Sequence, residues 1–302
     1  MSADDDQLRP LRERIDALDI KLLALLNERA QCALEVGKVK ERQGVGADQE
    51  TTVFYRPERV AQILRRLTEH NPGPLSTGDV ETLFREITAC CLSLEAPMSV
   101  AYFGPEGTYT EAATVKQFGH FIETSPMASI DEVFREVESG VCKYGVVPVE
   151  NSVEGGVTSC SDLLWQSGLQ GDGALAIEHA LILPIRHALL ADGSLEQITE
   201  VLSHPQALAQ CSGWLQQNLP QALQLPTSST AEAARLVRGS RFRAAVASRQ
   251  AGQEQGVAEL AYPINDQPGN CTRFLLLRRG PQPQQAHASR TSLAFSLHAN
   301  AP

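Results

Sequence analysis

Between residues 8 and 42 the apolar positions recur at alternating steps of three and four: Leu8, Leu11, Ile15, Leu18, Leu22, Leu25, Cys32, Val36 and Val39. This is a heptad seam, the pattern of helices packed along their length. It predicts one helix over 8–42, about 50 Å long. A compact monomer of this size cannot cover such a helix, so the pattern predicts a homodimer. Gly44 and Gly46 break it within 43–53. Pro57 suits the first turn of a second helix over 57–69. Asn71-Pro72-Gly73-Pro74 reads as a turn, and Ser76 caps a third helix running to Leu94.

After Pro97 the pattern changes. SVAYFG, YGVVPV, ALILP, VLSH, RAAVAS and RFLLL are short β-like runs, with YTEAATVKQF, LAQCSGWLQQ and AEAARLVRG as helical stretches between them. Strand and helix in alternation predict an α/β domain with a mostly parallel sheet. Residues 278–289 are rich in Pro and Gln and read as a linker, and the last residues, from 290, alternate as a single strand. No internal repeat is evident.

Composition narrows the function classes. A chain of 302 residues accommodates about two domains. A net charge of −10 argues against nucleic acid as a partner. It also means that cations serving small anionic ligands must be concentrated locally. No apolar run approaches the roughly 20 residues that span a bilayer, and the acidic MSADDDQ start lacks an apolar leader segment, so a cytoplasmic location is expected. The seven cysteines are scattered without a C-x-x-C pair, and the seven histidines show no metal-binding spacing. Reduced thiols, no metal and no cofactor are expected.

Arg29 stands on the first seam where Leu or Val is expected. It is either a structural ion pair or a snorkelling cation, or one wall of an anion site between helices. Lys40 lies three turns further along nearly the same face, and Arg12 flanks the seam about 26 Å before Arg29 by helix rise. One helix cannot bring Arg12 and Arg29 to one small ligand, so an antiparallel partner chain would have to supply Arg12.

LRERIDALDIKLLALLNERAQCALEVGKVK, YRPERVAQILRRL and LFREITACCLSLE together resemble the all-α chorismate mutase domain of bifunctional chorismate mutase/prephenate dehydratases over residues 8–95. The resemblance implies an intertwined helical dimer over 1–96, in which Arg12 of the partner chain, Arg29 and Arg59 hold the carboxylates of chorismate. It places Lys40 at the ether oxygen, where negative charge develops in the pericyclic transition state, and sets Cys91 and Glu95 beside the substrate. The chain departs from the pattern at four places. Val60 and Arg56 stand where acidic residues hold the substrate hydroxyl, Cys91 replaces a common Ser, and Glu95 replaces Gln. A carboxylate at 95 would repel the developing charge, which predicts a mutase rate that falls as pH rises.

In the second domain several β-like runs end in polar turns that open helices: Gly104 to Thr108, Glu150-Asn151-Ser152, Ser203-His204-Pro205-Gln206, and the four hydroxyls of 227–230. Such turns are either ordinary helix caps or, converging at strand ends, a site for a dianion. Thr272 and Arg273, unaided, read as a strand-opening residue and a solvated charge. GPEGTYT, VVPVENSVEGG, LSHPQALAQC, SSTAEAA, AAVAS and NCTRF occur in the order seen in prephenate dehydratases over 100–278, and the set is similar to that family. This implies a two-lobed α/β fold like type 2 periplasmic binding proteins over 98–279, with lobes of about 98–180 plus 263–279, and 181–262.

The resemblance makes Thr272 the essential threonine at the departing ring hydroxyl of prephenate. Thr108, Asn151, Ser152, Ser203, Gln206 and Arg273 become candidates for positioning the substrate. His204 is either a proton source or a buried structural histidine. Residues 290–302 resemble the first strand of the phenylalanine-binding ACT module that follows in the family, so no phenylalanine regulation is expected. The implied activity is conversion of chorismate to prephenate and of prephenate to phenylpyruvate. The alternatives are a dehydratase with a catalytically weak helical dimeriser, or a non-catalytic module binding small carboxylates.

Overall fold

The structure, a computed structural model, describes residues 3–44, 57–95, 98–169 and 175–280. Arg56, the 280–289 linker beyond Gly280, and the expected strand from 290 lie outside the described residues. The chain divides into two units. One comprises the residues through Met98 together with Phe118–Glu123, and the other comprises the remainder.

The first unit holds α1 (Ala3–Gly44), α2 (Pro57–Glu69) and α3 (Thr77–Glu95). At 42 residues α1 is about 63 Å long. Ser76 opens α3 through a reciprocal cap: its hydroxyl accepts from the Asp79 N–H, and the Asp79 carboxylate accepts from the Ser76 N–H. The stripe of α1 that meets α3 within the chain is not the expected seam. It is the half-buried or buried row Leu26, Arg29, Ala30, Ala33, Gly37 and Lys40. The 19-residue α3 is too short to cover α1, and the seam stays exposed, with Leu11 at 56%, Leu18 at 53% and Leu25 at 62%. Gly37 sets the closeness of the contact, because a Cβ there would lie 2.8 Å from the Glu95 carbonyl oxygen.

The second unit carries two sheets. The first has the order β2 (Glu123–Met127), β1 (Ser99–Phe103), β3 (Tyr144–Asn151), β11 (Cys271–Arg279) and β5 (Leu175–Pro184), with the short β4 (Gly155–Gly156) paired to β3. The second has the order β10 (Glu259–Ala261), β6 (Ala188–Leu190), β9 (Arg243–Ala247), β7 (Glu200–Ser203) and β8 (Leu223–Pro226). Helices cover their faces, as Phe134 of α5 (Ile130–Glu138) does against Leu275 and Leu277, and Val237 of α9 (Thr230–Val237) does against Ala245.

Both sheets are mixed, which corrects the expectation of mostly parallel pairing. β1 with β3, and β7 with β8 and β9, are parallel. β11 is antiparallel to both β3 and β5, because it returns from the second lobe to the middle of the first sheet. That position buries it on both faces and explains its unbroken Phe274–Leu277 run. The crossing to the second lobe comes after Pro184, later than the expected 181, since β5 pairs with β11 along its length.

Candidate active sites

Thr272 opens β11 directly opposite Asn151, the last residue of β3. The Asn151 amide Nδ2 donates to Thr272 Oγ1 at 2.8 Å and to Asn270 Oδ1 at 3.0 Å, while Asn151 Oδ1 accepts from the backbone N–H groups of Val153 and Glu154 at 2.9 and 3.1 Å. Those N–H groups can only donate, so they fix which way the amide points. Thr272 Oγ1 therefore receives a hydrogen bond, and its own proton has no protein acceptor among the described residues. Ser152 fastens the same corner: its hydroxyl lies 3.4 Å from Asn270 Oδ1 and accepts from the Cys271 N–H at 3.0 Å.

The chain of amides continues. Asn270 Nδ2 donates to Gln210 Oε1 at 2.9 Å, Gln210 Nε2 donates to Glu154 Oε1 at 3.3 Å, and His187 Nε2 lies 3.1 Å from Gln210 Oε1. Gln210 closes α7 (Pro205–Gln210) of the second lobe, whereas Glu154 follows β3 of the first, so these bonds bridge the lobes. Beside them is a cavity of about 300 Å³ lined by Val153, Glu154, Gln210, Asn265, Asp266 and Asn270. Asp266 is occupied in capping α8 (Ser212–Asn218), accepting from the N–H groups of Gly213 and Trp214.

The other expected residues lie elsewhere. The fully buried Ser203 donates to the Val246 carbonyl at 2.6 Å and ties β7 to β9. Thr108 sits at the start of α4 (Tyr109–Phe118), its Oγ1 3.4 Å from the Glu111 N–H. His204 is the N-cap of α7, its Nδ1 accepting from the Gln206 N–H. Arg273 pairs with Glu150 at 3.0 Å, on the face of β11 opposite Thr272. In the 227–230 turn Ser229 caps α9 through the Glu232 N–H, and Ser228 binds the Glu232 carboxylate.

In the helical unit, Arg29 reaches the middle of α3, Nη2 donating to Thr88 Oγ1 at 3.2 Å and Nη1 to the Ile87 carbonyl at 3.4 Å. Lys40 Nζ donates to Glu95 Oε2 at 2.8 Å, with the two side chains 25% and 14% exposed. Cys91 is buried between these two anchor points on α3, while Arg12 and Arg59 are exposed. One structural row thus presents two cations and one carboxylate, at the positions singled out from the sequence.

The type II chorismate mutase family matches residues 11–96, and the prephenate dehydratase family matches residues 100–282. A bifunctional chorismate mutase/prephenate dehydratase of Stutzerimonas stutzeri is 45% identical over 97% of this chain and 78% of its own length. The chain belongs to the bifunctional chorismate mutase/prephenate dehydratase family. A Pseudomonas aeruginosa member is also 45% identical, over 98% of this chain and 79% of its own. A prephenate dehydratase of Arthrobacter aurescens, solved with L-Phe, superposes with a TM-score of 0.56 at 33% identity, covering 62% of this chain and 63% of that one.

The sequence did not single out Glu154, His187, Gln210 and Asn270, which join the hydrogen-bond network that leads to Thr272. Three of the four stand inside the motifs VVPVENSVEGG, LSHPQALAQC and NCTRF, where a polar residue carried no sign of its direction. No group of three or more His, Cys, Asp or Glu among the described residues could hold a metal ion, and the cysteines described there are all free thiols. No helix there is long and apolar enough to cross a membrane.

Proposed function

We infer that the chain rearranges chorismate to prephenate in its helical unit and converts prephenate to phenylpyruvate in its α/β unit. The observation that supports the second step best is the Thr272 hydroxyl, whose oxygen accepts from Asn151 and whose proton has no protein acceptor among the described residues. Prephenate loses its ring carboxylate as CO2 and its ring hydroxyl as water, consuming one proton, and aromatisation drives the step. Thr272 donates a hydrogen bond to the departing hydroxyl oxygen, where negative charge builds up. Threonine is too weak an acid to give its proton up permanently, so the net proton comes from solvent. Absorbance assays with chorismate and with prephenate as separate substrates test the reading. Phenylpyruvate from prephenate alone would reduce the helical unit to a dimeriser, and none from either would favour the binding module.

The exposed seam of α1 supports a homodimer in which the partner chain's antiparallel α1 covers Leu11, Leu18, Leu22 and Leu25. That pairing brings Arg12 of the partner subunit toward Arg29 and Lys40. Leu18→Asp with Leu22→Asp is expected to convert the dimer to monomer by light scattering and to remove mutase turnover. Dehydratase turnover with added prephenate should persist. A dimer that survives both charges would refute this arrangement.

Lys40 serves the ether oxygen of chorismate, and Glu95 competes for the same ammonium. Replacing Glu95 by Gln keeps an acceptor for Lys40 and removes a negative charge next to the developing one. Mutase kcat at pH 8 is expected to rise roughly tenfold, equivalent to about 1.4 kcal/mol of relieved repulsion. An unchanged or lower rate would show that the carboxylate is not felt at the reacting centre.

A further inference from the structure

We propose that His187 is a positioning residue of the dehydratase, holding Thr272 in its donating orientation through Gln210, Asn270 and Asn151. The inference rests on the dehydratase reading above and deepens it. His187 lies on the segment that crosses between the lobes, and this segment is locked to the returning one. The His187 N–H donates to Asn265 Oδ1 at 2.7 Å, its carbonyl accepts from the Ile264 N–H at 2.9 Å, and the Ile185 N–H donates to the Asn270 carbonyl at 2.8 Å. The imidazole is thus built into the hinge, 3% exposed.

The direction of every bond in the chain follows from its two ends. The Glu154 carboxylate can only accept, so the Gln210 group facing it is the NH2, and Gln210 Oε1 turns to Asn270 and His187. The backbone N–H groups of Val153 and Glu154 can only donate, so Asn151 turns its NH2 to Thr272 and Asn270. Asn270 then accepts at one end and donates at the other without conflict. Gln210 Oε1 is left facing a His187 nitrogen, which must therefore be Nε2–H. His187 is the one member of this hydrogen-bonded series that lies outside the prephenate dehydratase-like motifs, and it has no place in the chemistry otherwise.

The surroundings keep the ring neutral. Tyr109 of α4 packs edge-on at 5.6 Å between centroids, its hydroxyl donating to the Arg186 carbonyl at 2.7 Å and lying 3.3 Å from His187 Nδ1. Burial pushes the His187 pKa below its ordinary value, opposed only in part by the Gln210 bond. Cys211 beyond it is held as a neutral thiol, its pKa pushed up to about 12 by burial. The carboxylates nearest along the network, Glu154 and Asp266, are bonded to Gln210 and to the start of α8. Without the Nε2–H donor, Gln210 keeps one partner on its oxygen and is free to turn. Asn270 then loses its fixed anchor, and Asn151 and Thr272 lose theirs in turn.

The test uses the full chain with His187→Leu and His187→Gln, assayed with prephenate, and with chorismate followed as its disappearance to report the helical unit. His187→Leu is expected to lower dehydratase kcat about 30-fold to 100-fold with KM within about threefold, while the mutase rate stays unchanged. His187→Gln, whose amide N–H takes the place of Nε2–H, is expected to recover kcat to within about fivefold of wild type. A wild-type kcat in His187→Leu, or a loss that His187→Gln does not repair, would overturn the proposal. Thr272→Ala is assayed alongside. If the wild-type chain makes no phenylpyruvate from prephenate, the dehydratase reading itself falls; if Thr272→Ala retains turnover, Thr272 is not the group being positioned; and inactive Thr272→Ala with fully active His187→Leu removes only this inference.

Discussion

Thr272→Ala is expected to lower phenylpyruvate formation from prephenate by about 10²-fold to 10⁴-fold, the range for losing a positioned proton donor. Its mutase rate should be that of the wild-type chain. The fold survives the change for a local reason: Asn151 Nδ2 keeps its second acceptor, Asn270 Oδ1, and Asn151 Oδ1 keeps both backbone donors. The lost hydrogen bond costs about 1 kcal/mol of stability, too little to unfold a domain. Thr272→Ser retains the hydroxyl on an unbranched side chain that is freer to rotate. It should keep within about tenfold of wild-type kcat, the difference measuring what fixing the hydroxyl contributes. Steady-state turnover of prephenate by the two variants checks both, and an active Thr272→Ala would remove Thr272 from the chemistry.

The sequence disclosed elements whose physics is local and withheld those that depend on direction. The long α1, the Pro57 and Ser76 helix starts and the apolar core of β11 follow from periodicity and capping, and they lie where those rules put them, whereas the row of α1 that meets α3 is not the heptad seam. Strands β6, β8 and β10 are three or four residues long, and β2 is an edge strand carrying Pro126, so none repeats a pattern long enough to read. That β11 is antiparallel follows from a crossing between lobes, which no local pattern records. The site divides in the same way. Asn151 and Thr272 stood out as polar residues at strand ends. The bonds that orient them join residues 60 to 119 positions apart, Asn270 to Gln210 and to Asn151, and hydroxyls of equal promise in the sequence, Ser203 and Ser229, face inward to hold strands and helices. Serine at a turn has the same pattern in both roles. Only the partner of its hydroxyl separates them.

Lys40 is where the helical unit's rate and its stability depend on the same bond. Lys40→Ala is expected to reduce mutase kcat by about 10²-fold to 10³-fold, the loss seen when a preorganised donor to a developing oxyanion is removed. It should also destabilise the helical unit by about 1–3 kcal/mol, because Glu95, whose side chain is only 14% exposed, is left a carboxylate without the ammonium 2.8 Å away. The two effects separate in the double variant. Lys40→Ala with Glu95→Gln replaces the stranded charge with a neutral amide, so thermal stability should return toward wild type while the mutase rate stays low. Glu95→Gln alone keeps the cation and is the variant expected to gain rate. Thermal melts and chorismate turnover on the three variants part company in the double variant if Lys40 acts on the transition state, leaving it stable and slow. Parallel recovery of stability and rate in the double variant would instead mean that Lys40 serves only to neutralise Glu95. Catalysis would then have to come from Arg29, Arg59 and the partner subunit's Arg12.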